Sequence, residues 1–219
     1  MMFTPFSTHV KRGLLIAAVA MSLASSVQAA AQAQFDSAFA VFTQARGGNE
    51  AAIHQAAVAF TNLHQAEPIN PVLMAYAGAA TSMRANTTWM PWKKMSFAED
   101  GMALLDKALA LLTGAHVAPL QGDVPANLEV KFIAANTFLA VPGFMNRGAR
   151  GAKLLGEITA SPLLNAAPLG FKGDVWLSAA DLAIKEKRLD DARKYLNDIV
   201  KSSAPQAEAA RAQLKTIQS

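Results

Sequence analysis

DVWLSAADLAIKEKRLDDARKYLNDIVKSSAP, residues 174–205, decides the fold class. Trp176, Ala180 and Ala183 recur at helical spacing, so they share one face of a helix. Leu189, Ala192, Leu196 and Ile199 form a second such stripe. The charged run between them is a turn, and Ser203 to Pro205 breaks the second helix. Two amphipathic helices joined by a short turn bury their stripes by packing antiparallel. Ser203, with Gln206 three residues on, predicts a capping box for one more helix, whose tail Ala207 to Leu214 is mildly amphipathic.

Upstream the same period recurs. Phe35, Ala38, Phe39 and Phe42 form a stripe ended by Gly47-Gly48, and Ile53, Ala56, Phe60 and Leu63 form the next, ended before Pro68. Asn70-Pro71 predicts an N-cap and a first-turn proline for a helix carrying Leu73, Tyr76, Ala77 and Ala80. A loop is expected over residues 86–94. Phe97, Gly101, Leu105, Ala108 and Leu112 then share a face, followed by a loop over residues 114–122. Leu128, Phe132, Ala135 and Leu139 form another stripe, stopped by Pro142-Gly143. A short helix is expected over residues 146–160 and a loop over residues 161–173. No segment alternates apolar and polar residues for long enough to be a strand. The expectation is an all-α chain of about nine helices stacked as antiparallel hairpins, with hairpin starts near Phe35, Asn70, Pro125 and Asp174 hinting at a repeat.

The C-terminal hairpin resembles the tetratricopeptide-repeat (TPR) superfamily. With Trp176 at the first signature position, Ala179, Ala180 and Ala183 fall where helix A packs tightly. Ala192 takes the small position of helix B and Leu196 its large apolar one. The spacing suits a unit of about 34 residues, with Pro205 one residue late. Ala56, Phe60, Leu63 and Pro68 match helix B alone. Trp89-Met90-Pro91-Trp92-Lys93-Lys94, Gly101 to Ala108, and Pro142-x-Phe144-x-x-Arg147 resemble a group of exported bacterial TPR-like proteins of unknown role. The resemblance implies a right-handed TPR-like array over residues 34–219. It also implies a scaffold that presents a concave surface to a peptide, a helix or another subunit.

Residues 1–33 read as a secretory signal peptide. Lys11 and Arg12 precede an apolar run from Gly13 to Ala24, and small-x-small cleavage options follow at Val27-Gln28-Ala29, Ala29-Ala30-Ala31 and Ala31-Gln32-Ala33. The run is shorter than the roughly 20 residues a bilayer span needs. The expectation is export to the periplasm with no transmembrane segment. The leader carries two positive charges and no acid, so removing it leaves +2 of the chain's +4. That balance lacks the concentrated basic face nucleic-acid binding requires. The absence of cysteine excludes disulfides, a thiol nucleophile and thiolate metal sites.

Trp89 and Trp92 flank Pro91 and are followed by Lys93 and Lys94. They form either an aromatic and cationic lip for a ligand or partner, or two indoles pinning a loop to the core. Met74, Met83, Met90, Met95 and Met102 crowd one third of the chain. They suit an adaptable apolar pocket, a Cu(I) site, or gap-filling in an irregular core, and core filling is the reading preferred. Arg147, Arg150 and Lys153 follow Pro142-Gly143 three apart, near a helix N-terminus. That stripe is either a receptor for a phosphate, carboxylate or headgroup, with Gly148 and Gly151 allowing close approach, or a solvated face. His54, His64 and His116 are not paired at helical spacing, so no zinc site is expected.

Catalytic motifs are missing: the chain has no G-x-S-x-G, no H-E-x-x-H and no P-loop, since Ala149-Arg150 stands where Lys-Ser/Thr is required. The sequence therefore predicts a non-enzymatic, cofactor-free binding protein engaging a protein partner of the cell envelope. The alternative is a periplasmic carrier of a lipid or sterol in a cavity lined by Met74, Met102, Phe132 and Phe138, near Trp89, Trp92, Lys93, Arg147 and Arg150.

Overall fold

A computed structural model describes residues 29–218, so residues 1–28 of the expected leader (residues 1–33) lie outside the described residues. The described residues are all-α. The first helix, α1, spans residues 29–46 and begins with the last five residues of the expected leader. It is followed by α2 (Glu50–Ala66), α3 (Pro71–Met83), α4 (Pro91–Ala110), α5 (Ala126–Ala140) and α6 (Gly148–Thr159). A four-residue α7 (Leu163–Ala166) precedes α8 (Leu169–Lys185), α9 (Leu189–Ser202) and α10 (Ala207–Gln218). Short 3₁₀ turns lie between α3 and α4, α4 and α5, and α5 and α6. Pairing beyond the helices is one isolated bridge between Pro119 and Pro125. Among the described residues, no helix is long and apolar enough to cross a membrane.

Helix α3 is the central element and packs on α2, α4 and α5. Its start is the one the sequence signals. The Asn70 side-chain oxygen accepts from the backbone N–H of Val72 at 3.1 Å and Leu73 at 3.3 Å, with Pro71 in the first turn. Every residue from Pro71 to Ala80 is buried, as an apolar sequence on all sides requires. Helix α4 comes close enough that a Cβ on Gly101 would lie 2.4 Å from the Gly78 carbonyl oxygen and 2.7 Å from Ser82 N. Only glycine permits that crossing. On its other flank α3 presents Tyr76 to a cluster of rings. Tyr76 stacks on Phe60 at 4.7 Å and meets the edges of Phe35, Phe39 and Phe42 at 5.1–5.8 Å.

The C-terminal hairpin has its own small core: Ala180, Leu196, Ile199, Ala204, Ala207 and Ala210, bordered by Trp176, Tyr195 and Leu214. Helix α8 joins this core to the main one, since Val175 and Ala179 belong to the latter.

Three boundaries differ from expectation. Pro91 opens α4 instead of lying in a loop, because proline is preorganised for the first helical position. Trp92, Lys93 and Lys94 are thus helical. Likewise α8 begins directly after Pro168, not near Asp174. The expected capping box is not formed. Ser203 instead ends α9 in the left-handed region at φ 57°, and the Gln206 side chain donates to the Gly170 carbonyl at 3.0 Å and to Asp174 at 2.8 Å.

Candidate functional site

The ring cluster leaves a cavity of about 780 Å³ beside it. Its inner wall comes from Phe39, Phe42 and Ala45 of α1, Tyr76, Ala79 and Ser82 of α3, and Glu129, Phe132 and Ile133 of α5. Phe171 and Asp174 of α8 and Ile53 of α2 complete the sides, and Arg46, Glu50 and Asp123 add charge. Close-packed protein interiors contain few voids larger than a water molecule. A space of this size falls within the range of roughly 300–1,000 Å³ that holds small ligands.

A buried polar pair stands in this wall. Tyr76 donates its hydroxyl to Glu129 Oε1 at 2.7 Å, and Glu129 is only 6% exposed. Its other oxygen, Oε2, is buried without a hydrogen-bond partner. Burial penalises the charged carboxylate and pushes its pKa up to about 7, partly opposed by the Tyr76 hydrogen bond. Burial and the neighbouring Glu129 push the Tyr76 hydroxyl up in turn, so it remains a protonated donor near neutral pH. A carboxyl that titrates near neutrality, with one acceptor atom unsatisfied, marks a candidate binding site.

Of the residues singled out by sequence, Phe132 lies in the cavity wall. Met74 and Met102 are buried in the core outside that wall, and Phe138 is buried likewise. Trp89 is 80% exposed and Trp92 66% exposed, at the entrance to α4, and Lys93 beside them is exposed too. Neither indole pins a loop to the core. Arg147 and Arg150 share the Asp106 carboxylate of α4, Arg147 at 3.0 Å. Both guanidinium groups also lie near the Phe138 ring, at 5.4 and 5.3 Å. Gly151 serves packing: a Cβ there would lie 2.9 Å from the Ala135 carbonyl oxygen of α5. The arginines therefore fasten α6 to α4 while Gly151 seats it on α5.

Glu129 is the candidate site residue that spacing did not single out. As the acid in the first turn of α5 it resembles an ordinary partner for the helix dipole. Its signal was its position between Leu128 and Val130 in an otherwise apolar helix start. Its partner lies 53 residues away, beyond reach of any local pattern. A scan against protein-family models finds no match to this chain, and neither a curated protein nor a solved structure matches it.

Proposed function

We propose that this protein is an exported, non-enzymatic carrier that holds a hydrophobic small molecule of lipid or sterol size between α1, α3, α5 and α8. The single observation that carries this reading is the cavity of about 780 Å³, walled by aromatic and aliphatic side chains and bearing one buried, half-satisfied carboxyl. An apolar occupant would remove the aromatic and aliphatic wall from water, which is the main favourable term in such binding. The leader-like N-terminus supports action in the periplasm. The experiment is native mass spectrometry of protein purified from a periplasm, followed by organic extraction. It is paired with the cavity-filling variant Ala79→Leu. A co-purifying apolar mass, lost in the variant without loss of fold, is the expected result. An apoprotein mass together with no binding of the neutral apolar fluorophore N-phenyl-1-naphthylamine would overturn the reading.

A second reading is a TPR-like scaffold docking an envelope protein. The exposed Trp89 and Trp92 beside Lys93 favour it, because large aromatics left in solvent are characteristic of docking surfaces. A photo-cross-linking residue at Lys94 would capture that partner if this surface docks one.

A further inference from the structure

The chemistry of the cavity wall selects among hydrophobic molecules. It carries four carboxyl groups, Glu50, Asp123, Glu129 and Asp174, against one guanidinium, Arg46. Asp174 already accepts from Gln206, and Glu129 Oε1 accepts from Tyr76. Glu129 Oε2 accepts from nothing, and it belongs to the most deeply buried of the four. A buried acceptor without a donor is costly, and an ionised one far more so. A neutral hydroxyl would satisfy the acceptor alone, and an anion would meet a predominantly acidic wall. A cationic donor would satisfy both the atom and the charge.

Building on the reading of this cavity as a ligand site, we propose that it binds an apolar molecule bearing a protonated amine, whose ammonium group pairs with the Glu129 carboxyl, a small turn of that side chain bringing the shielded Oε2 to the cavity, while the apolar body lies against the α1 and α5 side chains. A charge-assisted hydrogen bond of this kind is roughly twice as strong as a neutral one. Tyr76 holds the carboxylate from the α3 side and fixes which oxygen is left for the ligand.

The proposal carries its own pH signature. Glu129, with a pKa of about 7, gains its charge as pH rises through neutrality. A primary alkylamine, like lysine with a pKa of about 10.4, is charged throughout that range. Tyr76 from α3 bonds Glu129 directly, and the other charged groups lining the cavity are Arg46 from α1, Glu50 from α2, Asp123 from the loop before α5 and Asp174 from α8; α4 contributes the uncharged Ala98. Amine affinity should therefore rise with pH, approaching tenfold per unit below the pKa.

The test is displacement of N-phenyl-1-naphthylamine by three ligands with one tail: decylamine, decan-1-ol and decanoate, each below its micelle concentration. Decylamine is expected to compete at about tenfold lower concentration than the other two at pH 8. That advantage should shrink towards pH 6 and vanish in Glu129→Gln, which keeps an acceptor for Tyr76 but no charge. The wild-type pH profile stands as a separate readout if the variant folds poorly. Equal or better competition by decanol or decanoate overturns the amine and leaves the carrier reading in place. An amine advantage that survives in Glu129→Gln, or is flat with pH, overturns it too. Failure of the fluorophore and all three ligands to bind overturns the cavity reading and the amine with it.

Discussion

In the α8–α9–α10 region, small residues bring helices into contact. Ala180, Ala192 and Ala210 are fully buried, as are Leu196 and Ile199. Where α1, α2 and α3 meet, rings do the packing. Phe35, Phe42, Phe60 and Tyr76 meet at centroid distances of 4.7–6.0 Å, and the space beside them stays open. Alanine on both sides of an interface lets backbones approach until nothing remains to fill. Large rigid rings at fixed edge-to-face angles cannot close every gap. The same secondary structure thus yields a stapled end and a hollow one, and the candidate site lies in the hollow one.

The largest effects test whether the two ends are energetically separate. Phe42→Ala removes a ring that contacts Phe60 and Tyr76 and lines the cavity. Leu196→Ala removes a fully buried side chain of the stapled end. Each should lower stability, by about 3–5 and 2–5 kcal/mol respectively, in denaturant unfolding. Only Phe42→Ala should alter fluorophore affinity. If Leu196→Ala alters it equally while still folded, the ends are one unit and the contrast fails.

The next effect isolates the polar pair of the hollow end. Glu129 has a folded pKa of about 7 against an ordinary 4.5. Between those values the folded chain holds a proton that the unfolded chain has lost. Glu129 therefore makes stability fall as pH rises from 4.5 to 7, by on the order of 3 kcal/mol in total, and the fall levels off above 7. Glu129→Gln has no such group. Its stability relative to wild type should be near zero at pH 4.5 and grow steadily to pH 7.5, measured by melting in parallel buffers. A constant difference across that range would mean that the carboxyl is solvated rather than enclosed.

How much of this was legible follows from where the information resides. The C-terminal hairpin is readable because every determinant lies within one turn of the next. The stripe Leu189, Ala192, Leu196, Ile199 is buried apart from Leu189, which is 38% exposed at the helix start. Asn70-Pro71 likewise sets a helix start by local hydrogen bonds. Proline misled twice, at Pro91 and Pro168, since the same residue that breaks a helix also begins one. The cavity was not legible. It arises from the arrangement of α1, α3, α5 and α8, with α2 and α4 at its edge; of the crowded methionines Met74 and Met102 fill core, Met83 lines the cavity and Met95 is exposed.

The smallest expected effect concerns the exposed tryptophans. Trp89 touches solvent over most of its surface, and Trp92 over two thirds. Substitutions at such sites usually shift stability by no more than about 0.5 kcal/mol, or roughly 2 °C for a chain of this size. Trp89→Ala should therefore leave both the melting temperature and fluorophore binding unchanged, because the indole contributes to neither end's core. A fall of several degrees would place the indole on the core and remove it as a docking residue. With melting and fluorophore binding intact, the variant becomes the clean probe for a partner. Loss of cross-linking at Lys94 in Trp89→Ala would give the outer face of α4 a role independent of the cavity. Retention would confine recognition to the interior.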